Sequence, residues 1–243
     1  MKVKTHIDYY AAMARDIKEL TQVSGRYKIQ KSAEKYIVLD VIQKLKIRSD
    51  NSLLEVGCGP GNLLIPLSFF VESCVGIDHQ AVIKRFKGRF NSPNIELIGS
   101  DFFSYSGKQK FDKILIYSVL PTIKNEDRLF AFIEKALSML KSSGRMLLGD
   151  LNNKDKKDRF LKSKRGKKFQ DQWNKLRQNE PDEPVDKPIE SGIYFSDELQ
   201  LKIINWLRKK GWDTYLYEQP EHLPFGNTRE DIVVKGPEFS EFA

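Results

Sequence analysis

The chain has 243 residues, a formal net charge of +8, two cysteines and three histidines. A chain of this length buries a substantial core, whereas two cysteines build no disulfide framework and, with the three histidines, form no closely spaced metal-ligand group. No stretch reaches the roughly 20 apolar residues of a membrane span, and the first residues lack the apolar core of a signal peptide. We therefore expect a soluble, cytoplasmic protein that forms a single domain over residues 1–243, with a helical segment over residues 1–46.

Strand and helix patterns alternate along the chain after this N-terminal segment. Apolar residues at helical spacing predict helices over residues 33–45, 62–71, 80–90, 126–140 and 196–211, with Gly144 as a C-cap and Ser196 as an N-cap. Apolar runs bounded by turn residues predict strands over residues 52–57, 73–78, 94–101, 111–120, 144–151, 212–218 and 230–236. The alternation predicts an α/β fold, a three-layer sandwich whose seven-stranded sheet is mostly parallel.

One region departs from this rhythm after the fifth predicted strand. Residues 152–192 are polar, then basic, then punctuated by prolines, which predicts a cap inserted within the domain. Residues 154–168 contain nine Lys or Arg and two Asp, a net charge of 9 − 2 = +7. Such a patch attracts phosphate, nucleic acid or an anionic surface, although a solvated lysine-rich helix has the same composition.

Three glycines follow the first predicted strand at every second position: Gly57, Gly59 and Gly61. A strand, glycine turn and helix present free backbone N–H groups at the carboxyl edge of a sheet, where open α/β sheets bind ligands. The dinucleotide pattern needs a third glycine where Asn62 stands, and the Gly-Lys-Ser/Thr ending of a phosphate-binding P-loop is missing. Glu55, just before the turn, repels phosphates. The pattern favours a cofactor that carries positive charge.

These residues resemble the class I S-adenosylmethionine-dependent methyltransferases over about residues 39–151. "LLEVGCGPGNL" is similar to the family's first motif, which implies that the glycine turn and Asn62 admit the cofactor and that Glu55 faces its amino-acid end. Asp78, in "GIDHQ", matches the acid that accepts hydrogen bonds from both ribose hydroxyls, with His79 next to it. The resemblance implies S-adenosyl-L-methionine as cofactor and an antiparallel last strand.

Two further motifs extend the resemblance. "GSDFF" is similar to the third motif, which implies that Asp101 faces the adenine amino group and that Phe102 lies beside the ring. "YSVLPTI" occupies the place after the fourth strand where the family contacts the methionine moiety, here through Tyr117 or Ser118. Each of these residues also has a simpler interpretation, because glycines ease tight turns and aspartates at strand ends cap helices.

The acceptor side carries weaker signals. His222, in the long loop over residues 219–229, is the candidate general base, although a surface histidine is the simpler interpretation. Tyr194 and Arg229 are the candidates for orienting the acceptor. The chain lacks an Asn/Asp-Pro-Pro-Tyr type motif, and Cys58 and Cys74 lie near strands one and two, far from where a cysteine nucleophile is used.

Asp150 and Asn152 suggest metal ligands, but a complete set is not evident. We therefore expect metal-free O- or N-methylation of a small, anionic or sugar-like acceptor. Two other functions stay open at this point. One is RNA or partner binding through the patch over residues 154–168, and the other is NAD-dependent oxidoreduction on the same sheet, which Asn62 and Glu55 disfavour. The sequence gives no indication of the oligomeric state.

Overall fold

A seven-stranded sheet runs through the protein in the order β3-β2-β1-β4-β5-β7-β6. The structure, a computed structural model, describes residues 5–178 and 192–240. The strands are β1 Ser52–Val56, β2 Ser73–Asp78, β3 Ile95–Gly99, β4 Phe111–Tyr117, β5 Leu140–Asn152, β6 Asp213–Glu218 and β7 Arg229–Lys235. The first five strands are parallel to one another, and β7 lies antiparallel between β5 and β6. The predicted fold class is confirmed.

Helices cover both faces of the sheet. They are α1 His6–Asp16, α2 Leu20–Val23, α3 Lys31–Leu45, α4 Leu64–Leu67, α5 Gln80–Lys87, α6 Glu126–Ser138, α7 Lys154–Lys162, α8 Lys164–Arg177 and α9 Asp197–Lys209. The buried side chains of α6 and α9 pack on one face of the central strands. Those of α3, α4 and α5 pack on the other. Alternate residues of β1 explain this division, since Leu53 and Leu54 enter opposite cores.

The N-terminal segment over residues 5–30 lies across the carboxyl edge of the first two strands. The Arg85 guanidinium on α5 donates to the Ala14 and Lys18 carbonyls, both at 2.9 Å. The Asn62 amide after the glycine turn donates to Ser24 Oγ at 2.8 Å. These contacts hold the segment directly over the end of β1.

Helices α7 and α8 form the described part of the predicted cap. Arg159 of α7 pairs with Asp197 at the start of α9. Arg165 of α8 pairs with Glu221 in the loop before β7 at 2.6 Å. The proline-punctuated part of the predicted cap, residues 179–191, lies outside the described residues. No helix of the described part is long and apolar enough to cross a membrane.

Two local predictions are wrong. The helix predicted over residues 62–71 is reduced to α4 and a single 3-10 turn, because the Ser68 hydroxyl donates to the Ile65 carbonyl at 2.7 Å and the backbone tightens there. Gly144 does not cap α6, which ends at Ser138. It lies within β5 instead, where its carbonyl accepts from the Gly236 amide at 2.9 Å.

The predicted N-cap is confirmed, since Ser196 Oγ accepts from the Leu199 amide at 3.1 Å.

Candidate functional site

A cavity of about 470 Å³ opens where the carboxyl ends of β1, β2 and β4 meet the N-terminal segment. Ten of the residues predicted to bind a cofactor line this cavity: Glu55, Gly57, Gly59, Asn62, Asp78, His79, Asp101, Phe102, Tyr117 and Ser118. Gly61, the remaining predicted cofactor residue, does not line the cavity. Parallel strands bring these residues together, since their carboxyl ends share one edge of the sheet.

The glycine turn is built for close approach of a ligand to the backbone. Gly57, Gly59 and Gly61 all have positive φ, at 74°, 55° and 88°. A Cβ at Gly57 would meet Val119 at 2.3 Å and a Cβ at Gly61 would meet Phe86 at 2.5 Å, whereas a Cβ at Gly59 would meet nothing within 4 Å. Gly57 and Gly61 are therefore required by packing. Gly59 is the glycine whose missing side chain leaves space in the cavity.

Glu55 is a buried carboxylate at the floor of the cavity. Its side chain is 3% exposed, and its Oε2 has no hydrogen-bond partner among the described residues. Burial raises the pKa of Glu55 well above its usual range, the Asp78 charge raises it further, and Arg26 opposes both. A positively charged donor bound in the cavity would satisfy Oε2 and favour the ionised carboxylate.

Asp78 ends β2 and holds the glycine turn. Its Oδ2 accepts from the Gly59 amide at 2.8 Å, and its Oδ1 accepts from the His79 amide at 2.6 Å. Burial raises the pKa of Asp78, and these two hydrogen bonds counteract the increase. His79 itself caps α5, since its Nδ1 accepts from the Ala81 amide at 3.2 Å.

Asp101 and Phe102 form the wall beyond β3. Asp101 Oδ1 accepts from the Phe103 amide at 2.7 Å, which starts a 3-10 turn and leaves the exposed Oδ2 for a ligand. Phe102 is buried, with its ring centroid 4.7 Å from that of Phe132. The wall thus combines an acceptor oxygen with an aromatic surface, which suits a flat ring bearing a donor group.

Tyr117 and Ser118 form the end of the cavity opposite Asp101 and Phe102. The buried Tyr117 hydroxyl accepts from the Gln219 amide at 3.1 Å, and burial together with Asp150 and Asp231 raises the pKa of Tyr117 well above its usual range. Ser118 adopts a left-handed backbone with φ 63° and donates to Asp150 Oδ2 at 2.6 Å. The left-handed residue ends β4, which explains why the strand is shorter than predicted.

Sequence reasoning missed three residues at this end. Tyr10 and Arg26 come from the N-terminal segment and line the cavity. The Arg26 guanidinium donates to Ser118 Oγ at 3.0 Å and lies 3.9 Å from Asp150 Oδ2. Burial raises the pKa of Tyr10, whose hydroxyl lies in the field of Arg26 and Asp150. The sequence pattern indicates Asp150 only as a metal ligand. Its place at the carboxyl end of an apolar strand is the sequence signal for a site residue.

The three acceptor-side candidates lie outside the residues that line the cavity. His222 is exposed on the surface, with its ring centroid 4.9 Å from that of Tyr36. Tyr194 is 68% exposed. Arg229 lies closer, with its Nε 3.7 Å from Asp150 Oδ1. The roles given to His222 and Tyr194 stay predictions.

Metal coordination has no preformed set in the described part of the chain, where no group of three or more His, Cys, Asp or Glu could hold an ion. Asp150 lies within 4 Å of two guanidinium groups, those of Arg26 and Arg229, which repel a cation.

The two cysteines, Cys58 and Cys74, are buried and free. Burial raises the pKa of both thiols, which makes them poor nucleophiles.

A model of the nodulation protein S (NodS) family matches residues 16–158. The chain is 30% identical over 127 residues to the ubiquinone biosynthesis O-methyltransferase of Pelagibacter ubique (strain HTCC1062), an alignment that covers 49% of this chain and 52% of that relative. The chain thus spans about half the length of that relative.

Two solved structures share the fold over most of the chain. The DhpI-SAM-HEP complex aligns with a TM-score of 0.60 at 18% identity and covers 94% of both chains. The N-methyltransferase NodS from Bradyrhizobium japonicum WM9, in complex with S-adenosyl-l-homocysteine, aligns with a TM-score of 0.53 at 14% identity and covers 85% of this chain and 88% of that one. At these identities the similarity concerns the fold alone.

Proposed function

Because this chain belongs to the nodulation protein S family, within the class I S-adenosylmethionine-dependent methyltransferases, we propose that it transfers a methyl group from S-adenosylmethionine to a small-molecule acceptor. The cavity beside the glycine turn is the proposed cofactor site. The observation that carries the proposal is the pair formed by Glu55, with its partnerless buried oxygen, and Gly59, where a side chain would enter the cavity.

The residues of the cavity suit the three parts of the cofactor. Glu55 would accept from the positively charged amino group, Asp78 from the ribose hydroxyls and Asp101 from the adenine amino group, with Phe102 against the ring. When bound, S-adenosylmethionine supplies a methyl group already activated on a sulfonium. The protein's own task is then to orient the acceptor and exclude water, which Arg26 and the N-terminal segment support by covering the cavity.

The acceptor is proposed to be a small, anionic or sugar-like molecule that is methylated on oxygen or nitrogen without a metal. Arg229 lies 3.7 Å from Asp150, which accepts from Ser118, and it supplies positive charge at the acceptor end. The exposed lysines of α7 and α8 add positive charge to the cap. O- and N-methylation both occur among the relatives, as their names state.

The test begins with binding. Calorimetry with S-adenosylmethionine, S-adenosylhomocysteine and NAD should give affinity for the first two alone, and preference for NAD would contradict the proposal. Labelled S-adenosylmethionine is then incubated with the protein and a fractionated cell extract. We expect label in the small-molecule fraction.

The same incubation separates the alternatives. Label in RNA or protein would contradict the small-molecule acceptor while retaining the methyltransferase. Salt-sensitive RNA binding without cofactor binding would instead favour a role for the basic cap alone. Asp78→Ala is the matched variant, since its weaker cofactor binding should reduce label transfer at low S-adenosylmethionine concentration. Asp158→Ala, at an exposed aspartate of α7, should leave transfer unchanged.

A further inference from the structure

The Asp150 carboxylate uses only half of its hydrogen-bonding capacity. Its Oδ2 accepts from Ser118 Oγ at 2.6 Å, whereas its buried Oδ1 has no hydrogen-bond partner among the described residues. The whole residue is 6% exposed. Buried carboxylate oxygens are normally hydrogen-bonded. Apart from the Arg229 ion pair at 3.7 Å, Oδ1 is therefore available to a hydrogen-bond donor of a bound molecule.

Arg229 forms a pair of opposite charge with Asp150. Its Nε lies 3.7 Å from Asp150 Oδ1, beyond hydrogen-bonding distance, and its side chain is 21% exposed. Its guanidinium carbon lies over the Phe225 ring, 5.1 Å from the centroid. Within residues 5–178 and 192–240, its side-chain N–H groups have no hydrogen-bond acceptor. An open acceptor and open donors thus stand side by side.

The backbone holds this pair in a strained position. Asp150 has a left-handed φ of 62°, and the pairing of β5 with β7 shifts register between Leu148 and Leu151. The Asp150 amide donates to Asp231 Oδ1 at 2.8 Å, which fixes the irregular turn from β7. Left-handed backbone is uncommon for residues other than glycine, and aspartate is one of the residues that tolerate it best. A left-handed residue at a strand irregularity beside a cavity is typical of functional sites.

The pair lies one residue away from the cavity wall. Ser118 lines the cavity and donates directly to Asp150, and Arg26, which also lines it, holds the same hydroxyl at 3.0 Å. A molecule that contacts Asp150 Oδ1 and Arg229 therefore lies beside the Ser118 end of the cavity. This is the end assigned to the methionine moiety.

We infer that Asp150 and Arg229 form the acceptor subsite and select a small molecule that has both an amine or hydroxyl group and an anionic oxygen group. The amine or hydroxyl donates to Asp150 Oδ1, and the anionic group accepts from Arg229. This inference rests on the proposed function, because it takes the cavity beside Ser118 as the cofactor site. A purely anionic ligand would leave Oδ1 without a donor, and a purely cationic ligand would leave Arg229 without an acceptor.

Three probes test Asp150 and Arg229 separately. 2-Aminoethyl phosphate carries both an amine and a phosphate, ethanolamine lacks the phosphate, and ethyl phosphate lacks the amine. Each is titrated by calorimetry into the full chain saturated with S-adenosylhomocysteine. We expect 2-aminoethyl phosphate to bind at least about tenfold more tightly than either half-molecule, since it alone satisfies both groups. Equal binding of the three probes, or no binding of 2-aminoethyl phosphate at millimolar concentration, would overturn the inference.

Matched variants assign the effect to the two residues. Arg229→Gln should weaken both phosphate probes about tenfold and leave ethanolamine unchanged, and Asp150→Asn should remove the advantage of the amine. Arg48→Gln and Asp50→Asn, an exposed ion pair at the other edge of the sheet, make the same charge changes as controls. Unchanged probe affinities in the first two variants would reject the subsite. S-adenosylhomocysteine affinity is measured throughout, so failure of the proposed function shows as failure of the parent to bind it.

Discussion

The Asp78 carboxylate accepts a hydrogen bond from the Gly59 amide at 2.8 Å, so a single residue holds the glycine turn and faces the cavity. Asp78→Ala should weaken S-adenosylhomocysteine binding about tenfold or more, because hydrogen bonds to charged groups contribute about 1.5–3 kcal/mol. The affinity of Asp78→Asn should lie between those of the parent and Asp78→Ala, because an amide oxygen still accepts from the Gly59 amide. Calorimetry measures all three proteins. Parent-like affinity in Asp78→Ala would show that the ribose assignment is wrong.

Alanine substitutions should separate the two roles of the glycine turn. Gly61→Ala should lower the thermal midpoint strongly, because its Cβ would meet the buried Phe86 at 2.5 Å in addition to adopting φ 88°. Gly59→Ala should cost only about 1–2 kcal/mol of stability but should abolish cofactor binding. Gly211→Ala, at φ 87° with nothing within 4 Å, measures the backbone cost alone. Tight binding by Gly59→Ala would contradict the proposed ligand position.

Cofactor binding should release protons through Glu55. Burial raises the pKa of this carboxyl, and a bound ammonium group favours its ionised form, so affinity should increase with pH until Glu55 is ionised in the free protein. Calorimetry in buffers of different ionisation enthalpy detects the released protons. Glu55→Gln should remove the proton release and should stabilise the free protein, since it removes a buried acid. Proton release that persists in Glu55→Gln would assign it to another group.

Lys113 should make stability depend on alkaline pH. Burial and the Arg145 charge lower the pKa of Lys113 to about 8 in the folded chain. The unfolded chain retains the proton up to about pH 10.4, so the free energy of unfolding should rise between these two pH values. Lys113→Met should be more stable at neutral pH and should lose this rise, whereas Lys108→Met, an exposed lysine, should retain it. Denaturant unfolding across this range provides the measurement.

Trp173 of α8 should affect turnover more than cofactor affinity. Its ring meets those of Tyr27 and Phe225 at 5.5 and 6.3 Å, which joins the cap to the N-terminal segment and the last loop. Trp173→Ala should lower kcat with the acceptor found by labelling and leave S-adenosylhomocysteine affinity within a few-fold of the parent. Trp206→Ala removes a comparable ring contact, to Phe130 at 5.1 Å between α9 and α6. Equal losses of turnover in both variants would indicate a general packing effect.

The strands and the glycine turn were predictable because their signals are local. Buried parallel strands appear as short apolar runs; Gly57 directly follows β1, and Asp78 is the last residue of β2. The carboxyl ends of such strands meet at one edge, so neighbouring site residues follow from topology. Only the lengths of single elements, such as α4, needed knowledge of hydrogen bonds like that of Ser68 to Ile65.

The acceptor end was harder to predict because its contacts join distant parts of the chain. Arg26 donates to Ser118, 92 residues away, and the Asp150 backbone amide donates to Asp231 Oδ1, 81 residues later. No periodicity connects such positions. The general-base role of His222 stays a prediction; in the described loop its neighbour Leu223 is buried and the imidazole lies on the surface.

The place of β7 in the sheet has a consequence for how the protein is made. β7 follows every other strand in the chain, yet it lies between β5 and β6. While a ribosome is still synthesising the chain, β5 therefore presents an open edge and β6 has no neighbour to pair with. Asp231 also completes the ion pair of the buried Lys44, at 2.6 Å. The nascent chain is thus exposed to aggregation and proteolysis until residues 229–235 emerge, and a stop codon before Arg229 should remove the protein from cells rather than shorten it.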